Sequence, residues 1–213
     1  MNVFILCTGR CGSTTLIKAC HHIANFTSAH ESLAGWYADK RLAYPERHIE
    51  ADNRLSWFLG RLDEAYGQEA YYVHLQREVD QVAASYAKRQ FHGGIMPAYR
   101  NGFFLGGVPQ AVPHLDVAYD YCATVSANIR YFLKDKPHQM DFHLEQADEH
   151  FRTFWDWIGA EGDLERALQE FSIAHNPSQE AAPPAPQPQP LPLRAVKKLG
   201  RAVVKLPEYL RKV

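Results

Sequence analysis

Several things are missing from this 213-residue sequence, and each absence excludes a class of protein. No stretch approaches the roughly 20 apolar residues of a membrane-spanning helix. Near the start the only apolar run is Val3–Leu6, too short for the core of a signal peptide, so the expectation is a cytoplasmic protein. The four cysteines (Cys7, Cys11, Cys20, Cys122) contain no CxxC pair and form no metal-like group with the eleven histidines. Scattered thiols of this kind suit a reducing compartment and predict no metal site. A basic excess is also missing where a nucleic-acid binder needs one. The net charge of −1 conceals a tail, residues 194–213, with seven Lys/Arg against Glu208. Residues 1–193 then carry 16 basic against 23 acidic side chains, so nucleic acid is excluded as a partner.

What is present reads as one α/β domain over residues 1–178. Short apolar segments at Asn2–Cys7, Phe26–His30, Ala70–Leu75 and Gln139–His143 read as buried parallel strands. Helical spacing covers Ser13–Ala24, Ile49–Tyr66, Val79–Gln90, Leu115–Leu133, Glu145–Ile158 and Asp163–Phe171. The alternation predicts a doubly wound parallel sheet flanked by helices, of the P-loop-NTPase type. Between Phe91 and His114 the periodicity fails, with five glycines and three prolines, which marks a functional loop. Residues 179–193 hold six prolines from Pro183 to Pro192, a stiff spacer reaching roughly 30 Å at ~3.1 Å per residue. Residues 194–213 follow as a basic tail. Val196, Leu199, Val203, Leu206, Leu210 and Val213 recur at spacings of three and four, one stripe of an amphipathic helix interrupted by Pro207. Such a tail suits an anionic membrane surface or a protein partner.

The chemistry concentrates in CTGRCGSTTL, Cys7–Leu16, directly behind the first strand. The amides of Gly12, Ser13, Thr14 and Thr15 open a helix and have no intrahelical acceptor, so they form an anion site where the helix dipole is positive. Gly9 and Gly12 let an oxyanion approach the backbone. This is no Walker A loop: GxxxxGK[ST] is absent, and Lys18 lies beyond the turn. Nor does AYYVHL end in an aspartate to hold Mg²⁺. A second anion site is indicated by QREVDQVAAS. Arg77 follows a strand, and Ser85 stands eight residues later on the next helix, both at the carboxyl edge of the sheet.

GRCGSTTL resembles the 5′-phosphosulfate loop of the sulfotransferases that use 3′-phosphoadenosine 5′-phosphosulfate (PAPS), in the R-x-G-[ST]-[ST] form of tyrosylprotein and bacterial carbohydrate members. REVDQVAAS is similar to their 3′-phosphate motif. MDFHLEQADEHFRTFWDWIGAEGD and FSIAHNPS resemble the closing part of the domain, so the likeness spans residues 1–178. One departure is His143-Leu144-Glu145, where many members have a Tyr-Glu-Asp-like step. The resemblance implies PAPS as co-substrate, 3′-phosphoadenosine 5′-phosphate (PAP) as product and no metal. Arg10, Cys11, Gly12, Ser13, Thr14 and Thr15 would take the phosphosulfate, and Arg77 and Ser85 the 3′-phosphate. Arg10 replaces the usual lysine and would also stabilise the leaving group. The general base falls in SAHES, as Glu31 or else His30. The acceptor expected is a hydroxyl, a glycan's first of all, under a lid containing Tyr99, Arg100, Phe103 and Phe104. Two other readings stay open: a P-loop kinase, and a non-catalytic nucleotide-binding module tethered by its basic tail.

Overall fold

The computed structural model describes residues 1–173. The expected end of the domain at Asn176–Ser178, the proline-rich linker and the amphipathic tail lie outside the described residues. Five parallel strands form one sheet in the order β2-β3-β1-β4-β5: β1 Val3–Leu6, β2 Thr27–His30, β3 His48–Ala51, β4 Tyr71–Gln76 and β5 Gln139–His143. Every residue of β1 is buried, as an unbroken apolar strand at the centre of a parallel sheet requires. The chain leaves β1 toward β2 on one side, then crosses to β4 and β5 on the other. The order therefore reverses beside β1, where doubly wound sheets open a ligand crevice at their carboxyl ends.

Right-handed crossovers put α1 (Ser13–Cys20) on one face of the sheet, and α2 (Leu59–Tyr66), α3 (Val79–Ala87) and α5 (His114–Leu133) on the other. The helix α5 buries Val117, Tyr121, Val125, Ile129 and Leu133, a stripe repeating every four residues that packs on α3. Tyr121 meets Tyr86 of α3 edge to face, ring centroids 5.2 Å apart. Two further helices, α6 (Ala147–Ile158) and α7 (Leu164–Gln169), close the first face, α7 packing against both α1 and α6. No helix among the described residues is long and apolar enough to cross a membrane.

Three expectations need correction. Ile49–Tyr66 is not one helix: it contains the end of β3, a 3-10 turn at Asn53–Trp57, and α2. All four residues of β3, HIEA, are buried, and the fully buried carboxylate of Glu50 breaks the apolar run that marks its neighbours. The helix expected over Ser13–Ala24 ends at Cys20, where His21 caps it and Ile23 turns away to bridge Gly162. Phe91–His114 is also more ordered than a loop, holding the short helix α4 (Ile95–Ala98) and a turn of π-helix at Tyr99–Phe103.

His74 of β4 makes the core sensitive to acid. Burial pushes its imidazole down from 6.5 to about 4, with Asp141 opposing the shift. The folded state holds His74 neutral, whereas the unfolded chain takes up a proton below 6.5, so this contribution is present above pH 6.5 and is lost as pH falls toward 4. Urea midpoints measured from pH 7 to pH 4 are expected to fall less steeply in His74→Phe than in the wild type.

Candidate functional site

The loop after β1 is held from below by one carbonyl. Thr8 O accepts from Tyr86 Oη at 2.6 Å, Tyr121 Oη at 2.8 Å and Asn53 Nδ2 at 3.4 Å, and Ser56 Oγ holds the carbonyl of Cys7 at 3.2 Å. Beyond that anchor the backbone is left-handed at Gly9 (φ 83°), Arg10 (φ 60°) and Gly12 (φ 89°). A side chain at either glycine would be strained by its positive φ and would meet a neighbour. A Cβ at Gly9 meets the Tyr86 hydroxyl, and one at Gly12 comes within 2.6 Å of Leu144. Arg10 has no such exemption, and a non-glycine residue held there costs about 1–3 kcal/mol, the kind of strain that collects at functional sites.

The structure brings Arg10, Arg77 and Ser85 together. Arg10 Nε donates to Ser85 Oγ at 3.1 Å, and Arg77 Nη1 to the carbonyl of Arg10 at 3.4 Å. Burial first, then the like charges of Arg89 and Arg77, hold the Arg10 guanidinium below its ordinary pKa. It stays charged, and an anion beside it would relieve both penalties. Ser13 and Thr14 face the cavity above the loop, while Cys11 and Thr15 are buried beneath it, which leaves those two only their backbone for a ligand.

Both candidate bases stand at the end of β2. Ser13 Oγ and His30 Nε2 are 2.9 Å apart, so that ring nitrogen is committed to the loop. Glu31 takes a left-handed turn (φ 52°), its amide still bonded to Ala51 O at 3.0 Å, and its carboxylate meets Arg54 with Oε2 and Nη1 2.7 Å apart. Buried acids hold this corner. Glu50 accepts from the amide and hydroxyl of Ser32, at 2.8 and 2.6 Å, and lies 3.0 Å from His48 Nε2. Asp52 accepts from Arg41 at 2.6 Å and from the amide of Arg54 at 2.8 Å.

Arg10, Ser13, His30, Glu31, Arg54 and Arg89 line one cavity of about 250 Å³ at the carboxyl edge. A larger cavity of about 680 Å³ along α2 and the end of α5 contains none of them. Arg54 and Arg89 escaped the sequence reading. Arg54 lies in the segment read as helix, and the one available signal for Arg89 is that it follows Ser85 by four residues. None of the four residues expected in an acceptor lid, Tyr99, Arg100, Phe103 and Phe104, lines this cavity. Phe103 and Phe104 are exposed, but Tyr99 is buried among Trp57, Tyr121 and Phe104, and donates to Asp120 Oδ2 at 2.7 Å. Arg100 is also buried, its guanidinium donating to the carbonyls of Pro109 and Val112.

Solved structures share this fold. The sulfotransferase domain from the curacin biosynthetic pathway matches with a TM-score of 0.55 at 14% identity, over 81% of this chain and 78% of that one. The mouse sulfotransferase SULT7A1, in complex with PAP, matches with a TM-score of 0.51 at 10% identity, over 80% of this chain and 64% of that one. The fold is thus sulfotransferase-like, in agreement with the motifs. No protein-family model and no curated protein matches the chain.

Arg100 is a strut between the π-turn and the start of α5. Replacing a buried guanidinium leaves two carbonyls without their donor, and charge-assisted bonds contribute about 1.5–3 kcal/mol each. Arg100→Met is therefore expected to lower stability by about 2 kcal/mol or more in urea unfolding; an unchanged midpoint would return Arg100 to the list of candidate acceptor contacts.

Proposed function

We propose that the chain is a sulfotransferase that moves the sulfuryl group of PAPS to a hydroxyl acceptor, with a carbohydrate hydroxyl the preferred class. The observation that carries this reading is the convergence of Arg10, Arg77 and Ser85 on one strained loop that opens a helix. In this reading Arg77 and Ser85 take the 3′-phosphate. The helix-opening amides and Arg10 take the phosphosulfate. The acceptor oxygen attacks sulfur as the bond to the bridging oxygen breaks, the electron pair remains on the 5′-phosphate of PAP, and the acceptor proton passes to the base. Arg10 stabilises the charge growing on the leaving oxygen.

Two contacts favour Glu31 over His30 as that base. His30 Nε2 is engaged with Ser13, whereas Glu31 offers Oε1, which has no hydrogen bond among the described residues, while Arg54 holds Oε2. Glu31 also lines the same cavity as Arg10, which supports a catalytic role over a purely nucleotide-binding module. Against a kinase stand the missing loop lysine and the end of β4, where Gln76 occupies the place of a Mg²⁺-holding aspartate.

PAP at 100 times its dissociation constant should stabilise the protein by ~2.7 kcal/mol, and ATP should do clearly less. A greater shift with ATP, or transfer that requires Mg²⁺, would favour the kinase. Arg77→Ala is expected to weaken PAP roughly tenfold or more while leaving adenosine 5′-phosphate almost unaffected. Titration calorimetry with both nucleotides checks this, and equal PAP affinity in wild type and variant would remove Arg77 from the site. Glu31→Gln is expected to cut turnover about 10²–10⁴-fold with PAP affinity preserved. Near-normal turnover would pass the role of base to His30.

A further inference from the structure

The cavity beside Glu31 contains more positive charge than sulfuryl transfer uses. Arg10, Arg54 and Arg89 line it, against Glu31 as the one carboxylate among the described lining residues. Glu31 pairs with Arg54, and Arg10 is directed to Ser85 on the loop. Arg89 remains. Its Nε is buried and has no hydrogen-bond partner among the described residues. Buried donors are nearly always paired in folded proteins, so the unsatisfied guanidinium donor of Arg89 at this cavity points to a missing acceptor. The anions of PAPS do not supply it in the reading above. The 3′-phosphate belongs to Arg77 and Ser85, which do not line this cavity, and the sulfuryl group belongs to Arg10 and the helix-opening amides.

We propose that the acceptor carries an oxyanion close to the hydroxyl that is sulfated, and that Arg89 is the residue that reads it. This rests on the sulfotransferase reading and deepens it from a hydroxyl to an anionic hydroxyl compound, such as a uronic acid or an already sulfated sugar. A guanidinium fork suits a planar carboxylate or a sulfate ester, binding through two parallel bonds. Phe91, exposed at the cavity wall, offers a flat apolar surface for the ring that bears the anion. About 250 Å³ is below the ~300–1,000 Å³ of drug-sized pockets, so a single ring with its charged group fits better than a long apolar chain.

The test uses the full chain, with methyl β-glucuronide and methyl β-glucoside as a matched pair differing in the carboxylate. PAP affinity is measured first. Its absence would sink the nucleotide reading alone, and the sugar comparison would then be made on the nucleotide-free protein. The wild type, PAP-loaded where it binds PAP, is expected to bind the glucuronide at least tenfold more tightly than the glucoside. Arg89→Gln should abolish that preference with PAP affinity unchanged, and Arg89→Lys should restore part of it. Equal binding of the two sugars, or binding of neither, overturns the proposal. So does an Arg89→Gln variant that retains the preference, or one that loses PAP affinity instead, since Arg89 would then belong to the nucleotide.

Discussion

The buried carbonyl of Thr8 and the hydroxyls that hold it are the constraint on which the site depends. Tyr86 comes from α3, Tyr121 from α5 and Asn53 from the turn after β3, and all three donate to this one oxygen. A parallel strand must hand its chain to a loop at the sheet edge, where the backbone loses its ladder partners. By capturing this carbonyl from three directions, the protein fixes where the loop begins. The left-handed residues that follow are then imposed on Arg10 as well as on the two glycines. Helices on one face of the sheet thus set the backbone of a loop that opens a helix on the other.

Electrostatics complete what packing begins. The described residues are acidic overall, so the candidate anion site is made by placement, with Arg10, Arg54 and Arg77 following the ends of β1, β3 and β4. Two of its acids, Glu50 and Asp52, are fully buried, and each is consumed by neighbours. Their charges stabilise the corner that carries Glu31 and Arg54 and leave the cavity positive. A buried carboxylate with several donors is costly to disturb. The positions of Glu31 and Arg54 are accordingly set by the fold before any ligand arrives.

The legibility of the site in the sequence follows the locality of its signals. Arg10 and the helix-opening hydroxyls are contiguous, and Arg77 and Ser85 stand a fixed eight residues apart, so each pair announces itself without knowledge of the fold. The central strands β1 and β4 were legible because both of their faces are buried and their residues say so. β3 was not: Glu50 sits fully buried in its middle, and LSWFLGRL after it has helical spacing. With β3 went Arg54, whose role exists only because β3 lies beside β2 and sets Arg54 against Glu31. Arg100 was misread for a related reason. Its composition context is that of an exposed loop, yet the carbonyls of Pro109 and Val112 fold back over it and bury the charge.

The two halves of the site therefore differ in how they are built. The half proposed to bind the nucleotide rests on the central strands, on α3 and on hydroxyls buried beneath the loop, all elements that cannot shift without opening the core. The half proposed to take the acceptor is assembled from chain that runs along the rim: the turn after β2, the 3-10 turn after β3, and the glycine-bearing segment between Phe91 and Ile95. A rigid half would suit the single co-substrate proposed. A rim made of loops can change its side chains without disturbing the sheet, and specificity on such folds is expected to reside there. Arg89 stands at that boundary. It follows the last turn of α3, four residues beyond the serine that bonds Arg10, and the next residues of the chain are already cavity wall. A charge at that position is fixed by the rigid half and presented to the rim, the placement that the proposed discrimination of an anionic acceptor from a neutral one would require.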